Sequence, residues 1–593
     1  MRAVLLLAIL IALPAQAAAP KSSARKVPLA HGHKHVRPVV AGNSAAAKKP
    51  ACKPANPAPA ATVSNEAAKP GADDPDRERI ARLQETLEQV VRGKVLGRLR
   101  VGMQVEDLAT RRVLFGWRSS RLMDPASNQK VLATTAALLR LGNEFRYRTE
   151  VTGPGPDAQG TVAGDIVIHG SGDPSLRDRH IEALAADLAA KGITRVTGAV
   201  LGDPNRLGSD EALAGGRPPL RVGSTPIEIL VRPADKAGNR PVVSLRPASD
   251  AFVVVNQAET LAKGKGRLGV SLVWVGHRIQ VVVSGKIART RGLVAIRRTP
   301  PNHALFAAVL LRQALAQAGV VVQGGVGVWS GPDRSRVARE PTVDGLALAL
   351  AAPGGDSPGP LLARAHQRPA ELLALHESDP LPVLLRRINK NSDNEWAERV
   401  LETVGAEVYG GAATNAKGVR VLREALAELD LPLTNYLPTN GSGLGHENRV
   451  SAGGMLALLR RLYFDPRIGP EIMQSLSVGG VDGTTRNRFR GSAAAHRVRA
   501  KTGTLSGVSC LSGFVGDGPD ILAFSILVEG HPRRGVRSVR AEQVSAVNAM
   551  MRFAKGMTGS IPDEGAASET DYETGEETDD DAESTDVEQP PAK

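Results

Sequence analysis

Long apolar runs are missing from this chain. Beyond the first 18 residues, none approaches the roughly 18 continuous apolar residues of a membrane-spanning helix. Aromatic residues are scarce, at 3 % of 593. Without stacking rings, the formal net charge of +14 does not argue for nucleic acid as the partner. There are two cysteines, Cys52 and Cys510, too few for a disulfide framework. The two could pair if the chain is exported, but Cys510 alternates with Val508 in an expected strand and is read as a buried free thiol. No fixed-period repeat stands out. Acidic residues are concentrated at one end: from Asp563 onward there are 13 acids and one base, which leaves about +26 on the remainder.

What is present divides the chain. Arg2, the apolar run Ala3 to Pro14 and the small-residue pattern Ala15-Gln16-Ala17 read as an export signal over residues 1–18. The expected location is therefore exported, periplasmic or otherwise at the cell envelope. Residues 19–76 are rich in Ala, Pro, Lys and Ser and read as a flexible basic linker. Its charge suits anionic envelope polymers. His31, His33 and His35 lie within it and are read as part of a solvated arm, not as a metal site. Helical periodicity from Arg77 to Val91, with Asp76 as cap, precedes two strand patterns, Val101 to Val105 and Val113 to Trp117. Residues 151–333 alternate Val-rich segments with Gly and Pro turns and one clear helix, Ala304 to Ala318, which predicts a β-rich insertion. Residues 77–150 plus 334–557 form the expected α/β (α+β) layers, and residues 558–593 an acidic, disordered tail.

Three short motifs carry the chemistry. Asp124 can cap a helix and Pro125 suits its first position; the apolar run that follows ends at Gly142. Ser127 then falls in the first turn, with Lys130 three residues on and on the same face, about 5–6 Å away at Cβ. A serine hydroxyl needs a base, and a lysine with a lowered pKa can be one. S-x-x-K alone is weak, since Ser23-Ala24-Arg25-Lys26 also matches. The second motif, Ser392-Asp393-Asn394, sits between two helical patterns, where a rigid turn can aim polar groups into a cleft. The third, Lys501-Thr502-Gly503-Thr504, opens a strand pattern: a cation and a hydroxyl suited to a carboxylate, and a glycine that admits a backbone at the strand edge.

Together and in this order, the motifs resemble those of the penicillin-recognising serine enzymes. Within that group the chain is similar to the D-alanyl-D-alanine carboxypeptidase/endopeptidases typified by penicillin-binding protein 4, peptidase family S13. The resemblance runs from about residue 77 to 555. It takes in Gly170-Ser171-Gly172-Asp173-Pro174, Gly441-Ser442-Gly443-Leu444 and Gly480-Val481-Asp482-Gly483-Thr484. Asn440 stands where the family has Asp. The large β-rich segment between Ser127 and Ser392 also looks like this family; β-lactamases have a short one.

The resemblance implies a penicillin-binding/β-lactamase-like transpeptidase domain with a large insertion domain. It implies peptidoglycan stem peptides as substrates, β-lactams as covalent inhibitors, and neither metal nor organic cofactor. Ser127 would be the nucleophile, Lys130 its base and Ser392 a proton relay. Asn394, Lys501, Thr502, Gly503 and Thr504 would bind substrate, with backbone N–H groups of Ser127 and Thr504 as the oxyanion hole. The alternatives are a catalytically lapsed wall-binding protein of the same fold and a β-lactamase.

Overall fold

The computed structural model describes residues 65–204, 218–223, 226–249, 251–275, 278–329, 370–518 and 520–555. The expected export signal, Cys52, the three arm histidines and the acidic tail lie outside them.

The main sheet has six antiparallel strands in the order Arg112–Trp117, Arg100–Asp107, Leu522–Glu529, Val508–Val515, Val498–Leu505 and Ser477–Val478. Strands Val508–Val515 and Leu522–Glu529 are buried at every position. A sheet covered on both faces requires this. Successive side chains point to opposite faces, so each central strand serves two cores. Leu511, Val515, Phe524, Ile526 and Val528 face a core shared with helices Arg77–Arg92 and Val536–Ala554. Val508, Cys510, Phe514, Ala523 and Leu527 face a larger core shared with helices Gln129–Leu141, Leu381–Asn391, Asn394–Tyr409, Asn415–Glu428 and Ala452–Phe464. The layered α+β architecture read from the sequence is therefore present. Cys510 is a free, fully buried thiol. Its Sγ lies 3.4 Å from the Asp124 carbonyl oxygen.

The segment between the two blocks contains two packed parts. In the first, a five-stranded sheet runs in the order Val326–Val328, Val200–Gly202, Ile166–Gly170, Arg148–Pro154, Ala370–Glu377. Helices Asp178–Ala190 and His303–Gln317 share its core. In the second, strands Val242–Arg246, Ile227–Arg232 and Val294–Arg298 form one sheet. Strands Phe252–Asn256, Glu259–Leu261, Leu268–Val275 and Arg278–Ala288 form another. Both contribute to one apolar cluster around Ile229, Val231, Ile279 and Val281, closed by Leu305, Phe306 and Val309 of helix His303–Gln317.

Four expectations need correction. The insertion does not end at residue 333: strand Ala370–Glu377 completes the insertion sheet by pairing antiparallel with Arg148–Pro154. It has a second helix, Asp178–Ala190, whose Ile181, Leu184, Ala185 and Leu188 form a buried stripe. The linker does not extend to residue 76. Glu66 N–H donates to the Gly116 carbonyl at 2.7 Å. Gly116 N–H donates to Asn65 Oδ1 at 3.0 Å, and Asp74 pairs with Arg112. Residues 65–76 are thus tied to strand Arg112–Trp117 and its flanks. Finally, Asp124 does not cap the α-helix. Its Oδ1 accepts from Ala126 N–H at 2.8 Å and organises the turn before the helix.

Candidate active site

Ser127 lies in a short 3₁₀ turn, Ala126–Asn128, which leads directly into helix Gln129–Leu141. The helix ends at Gly142, as expected, with φ +79°. The turn is strained: Ala126 has φ +44°, a left-handed conformation that costs an L-residue about 1–2 kcal/mol. Asp124 offsets this by holding the turn from below. It accepts from Ala126 N–H and from His446 Nδ1 at 2.8 Å, while its own N–H donates to Glu529 Oε1 at 2.6 Å. Nearby, Asn128 Nδ2 donates to Ser512 Oγ at 3.0 Å. Ser127 is half-buried and Lys130 fully buried.

Lys130 Nζ has three oxygen neighbours. It lies 2.9 Å from Ser127 Oγ, 2.6 Å from Asn394 Oδ1 and 2.6 Å from the Ser442 carbonyl oxygen. Burial draws its pKa down to about 7, against the opposing pull of the Glu398 and Asp393 carboxylates. Asn394 begins helix Asn394–Tyr409, and Asp393 caps that helix by accepting from Trp396 N–H at 3.1 Å. Ser392 ends the preceding helix in the left-handed region, φ +59°. A non-glycine residue held there marks a turn whose surroundings over-determine it.

The Lys501 strand closes the third side. Lys501 is fully buried, and its Nζ donates to Ser392 Oγ and to the Thr502 carbonyl, both at 2.9 Å. Burial, then the Lys130 and Arg488 cations, hold its pKa well below the ordinary lysine range. Thr502 Oγ1 donates to Thr484 Oγ1 at 2.7 Å. Thr504 is exposed, and its Oγ1 accepts from Arg540 at 3.2 Å. Gly503 has its own steric reason. A Cβ there would come within 2.7 Å of the Pro125 carbonyl oxygen and 3.1 Å of Ser127 N. Only a bare backbone lets the strand lie against the serine turn.

All eight sequence-derived residues therefore converge on one cleft. Two others were missed. Glu398 follows Asn394 by one helical turn and is 6 % exposed. Its carboxylate accepts from Gly441 N–H at 3.0 Å and Ser442 N–H at 2.9 Å. It thereby aims the Ser442 carbonyl at Lys130. The i, i+4 spacing from Asn394 was the available signal. Thr484 was quoted only as part of a family-like run, without a role. Asn440 also has a physical role. Its Oδ1 accepts from Gly443 N–H at 2.8 Å and its Nδ2 donates to the Leu444 carbonyl at 2.7 Å; an aspartate could not make the second bond.

The D-Ala-D-Ala carboxypeptidase 3 (S13) family matches residues 83–342 and 339–550. The chain belongs to that family. It is 30 % identical over 488 residues to the D-alanyl-D-alanine carboxypeptidase of an Actinomadura species, an alignment spanning 78 % of this chain and 84 % of that one. It is 25 % identical over 431 residues to the D-alanyl-D-alanine carboxypeptidase DacB of Haemophilus influenzae, over 70 % and 82 % of the two chains. Penicillin binding protein 4 of Haemophilus influenzae, solved in complex with a β-lactam, superposes with a TM-score of 0.55 at 22 % identity. It covers 78 % of this chain and 98 % of its own; the fold is shared. As an S13 member, the chain is a serine-type D-Ala-D-Ala carboxypeptidase of the penicillin-binding group. Among the described residues no cluster of His, Cys, Asp and Glu is arranged to hold a metal ion.

Proposed function

We propose that the chain hydrolyses the terminal D-Ala-D-Ala bond of peptidoglycan stem peptides through an acyl-enzyme on Ser127, with Lys130 as the base. The observation that carries this is the bonding around Lys130 Nζ. Asn394 Oδ1 and the Ser442 carbonyl can only accept. A neutral amine has two N–H bonds and one lone pair. In that neutral form the two acceptors take the N–H bonds, and the lone pair is left to accept from the Ser127 hydroxyl, whose Oγ lies 2.9 Å away. That is the geometry of proton abstraction.

The steps follow. Ser127 Oγ attacks the carbonyl carbon as its proton passes to Lys130. The carbonyl π electrons move to oxygen, held by the N–H groups of Ser127 and Thr504. On collapse the C–N bond breaks, Ser392 Oγ–H gives its proton to the leaving nitrogen, and the proton Lys130 took from Ser127 restores the Ser392 hydroxyl and leaves Lys130 neutral again. Ser392 Oγ accepts from Lys501, which leaves its own O–H to face the cleft. Asn394 positions Lys130 and the substrate amide. Thr502, with the donating Lys501 Nζ behind it, receives the terminal carboxylate, and Gly503 gives the peptide access to the strand edge. Water then attacks the ester and returns the serine.

The completeness of this set counts against a lapsed enzyme, and the insertion counts against a β-lactamase. Export rests on the pattern of residues 1–18, and contact of the arm with anionic envelope polymers on its charge; both lie outside the described residues. Mass spectrometry of muropeptides before and after digestion tests the proposal. Loss of a terminal D-Ala from pentapeptides supports it, and conversion of cross-linked dimers to monomers adds endopeptidase action. Unchanged muropeptides with tight sacculus binding overturn it, as does rapid nitrocefin turnover without a lasting acyl-enzyme.

A further inference from the structure

Far from Ser127 in sequence, the second part of the insertion carries an unbalanced charge. Between Pro226 and Arg298 there are thirteen Lys and Arg against four Asp and Glu, a surplus of nine cations. All thirteen are exposed. Two carboxylates are already taken: Glu259 holds Lys286 and Glu228 holds Arg297.

Six of these cations gather at one end. The turn carrying Lys236 and Arg240 lies against strand Glu259–Leu261: Gly238 N–H donates to the Thr260 carbonyl at 2.8 Å, and Thr260 N–H to the Asn239 carbonyl at 2.9 Å. The chain leaving that strand carries Lys263 and Lys265. Arg289 donates to the Asp235 carbonyl and Arg291 to the Gly266 carbonyl, each at 3.2 Å. Two loops and the Arg289–Arg291 turn are thus tied into one surface. Like charges so placed repel one another and concentrate counter-ions, and a polymer of opposite charge gains by releasing them.

We propose that this end of the insertion docks a linear polyanion whose charges are phosphate groups. The reading extends to a folded surface the partner class assigned to the N-terminal arm, and it is independent of the chemistry at Ser127. A bilayer is the poorer fit. Interfacial binding needs apolar side chains among the cations. Near the cluster the exposed apolar side chains are two separate aliphatic ones, Val242 and Leu293, on either side of strand Ile227–Arg232, whereas the exposed Val273, Trp274 and Val275 lie at the far end of hairpin Leu268–Val275/Arg278–Ala288. That is about 20 Å along the strand from the end where Gly266 and Lys286 meet the cluster. The fork of each arginine matches a phosphate in two bonds, and the lysines add point charge.

The test uses the full chain and fluorescently labelled linear polyphosphate, with binding followed by anisotropy across a salt series. One variant combines Lys236→Gln, Arg240→Gln, Lys263→Gln and Lys265→Gln. A charge-matched control combines Arg77→Gln, Lys94→Gln, Arg98→Gln and Arg537→Gln, all exposed and outside the insertion. Both retain the arm, and labelling by a fluorescent penicillin shows that both fold. The expected result is binding by wild type that weakens with salt. The insertion variant loses at least about tenfold in affinity and has a shallower salt slope, while the control stays within about twofold. Equal losses in the two variants, no loss in the insertion variant, or no binding by wild type each overturns the proposal. So does tighter binding to phosphatidylglycerol vesicles than to polyphosphate when that binding needs the same four cations.

Discussion

Lysine has opposite uses in two regions of this molecule. In the cleft, Lys130 and Lys501 are fully buried and their hydrogen-bond partners are fixed. Burial disfavours the charged form of each, and the base proposed at Lys130 depends on that. In the outer insertion, Lys236, Lys263 and Lys265 are exposed. They act by adding to one surface potential, and each is interchangeable with its neighbours. One region depends on the position of single atoms and the other on a sum of charges. Substitutions should therefore behave differently in the two: abrupt in the cleft, graded in the insertion.

The sharpest break in that contrast is Ser127→Ala. Release of D-Ala from a pentapeptide should fall by about 10⁴-fold or more, with the fold intact by circular dichroism. Next comes Lys130→Arg, which keeps a cation but one that cannot be deprotonated. Acylation by a fluorescent penicillin should drop by about 10²–10⁴-fold. A variant near wild type would show that charge at this position is enough. Gly503→Ala comes third. Its methyl group would press on the Pro125 carbonyl and Ser127 N. Acylation should fall by about 100-fold, the usual cost of a displaced reacting group.

Smaller effects sharpen the comparison through pH. With Lys130 at about 7, acylation should rise with pH through that value and then level. The same shift bears on stability. Between pH 7 and 10.5 the unfolded chain keeps this lysine protonated while the folded chain leaves it neutral. The unfolded state then binds more protons, so this group's contribution to stability improves as pH rises through that window. The Tm of wild type relative to Lys130→Met should accordingly move in favour of wild type from pH 7 to 10.5. The smallest effect belongs to the insertion. Neutralising Lys236, Arg240, Lys263 and Lys265 should leave the penicillin acylation rate within about twofold, because all four are exposed and salt screens exposed charges beyond about 10 Å.

The cleft was more legible in the sequence than the frame that carries it. S-x-x-K, S-x-N and K-T-G keep their spacing because each needs a particular residue at a particular element boundary, and such constraints survive as motifs. Glu398 escaped because a glutamate inside a helix looks the same whether it faces water or two backbone N–H groups. Strand Ala370–Glu377 escaped because its partner, Arg148–Pro154, lies more than 200 residues earlier, and no local pattern records such a pairing. Residues 65–76 read as linker because their composition is polar and Pro-containing; what fixes them is largely backbone hydrogen bonding and polar contacts to strand Arg112–Trp117 and its flanks. The charge of the outer insertion was visible only as part of a net figure. Its clustering depends on which loops the two sheets bring together.

The most direct test of the central claim is the site of covalent attachment. Wild type and Ser127→Ala would be incubated with benzylpenicillin near pH 8, digested, and read by tandem mass spectrometry. One penicilloyl adduct is predicted, on the peptide bearing Ser127, in wild type alone. An adduct on another residue, or equal labelling of Ser127→Ala, would contradict the assignment of Ser127 and Lys130 as nucleophile and base.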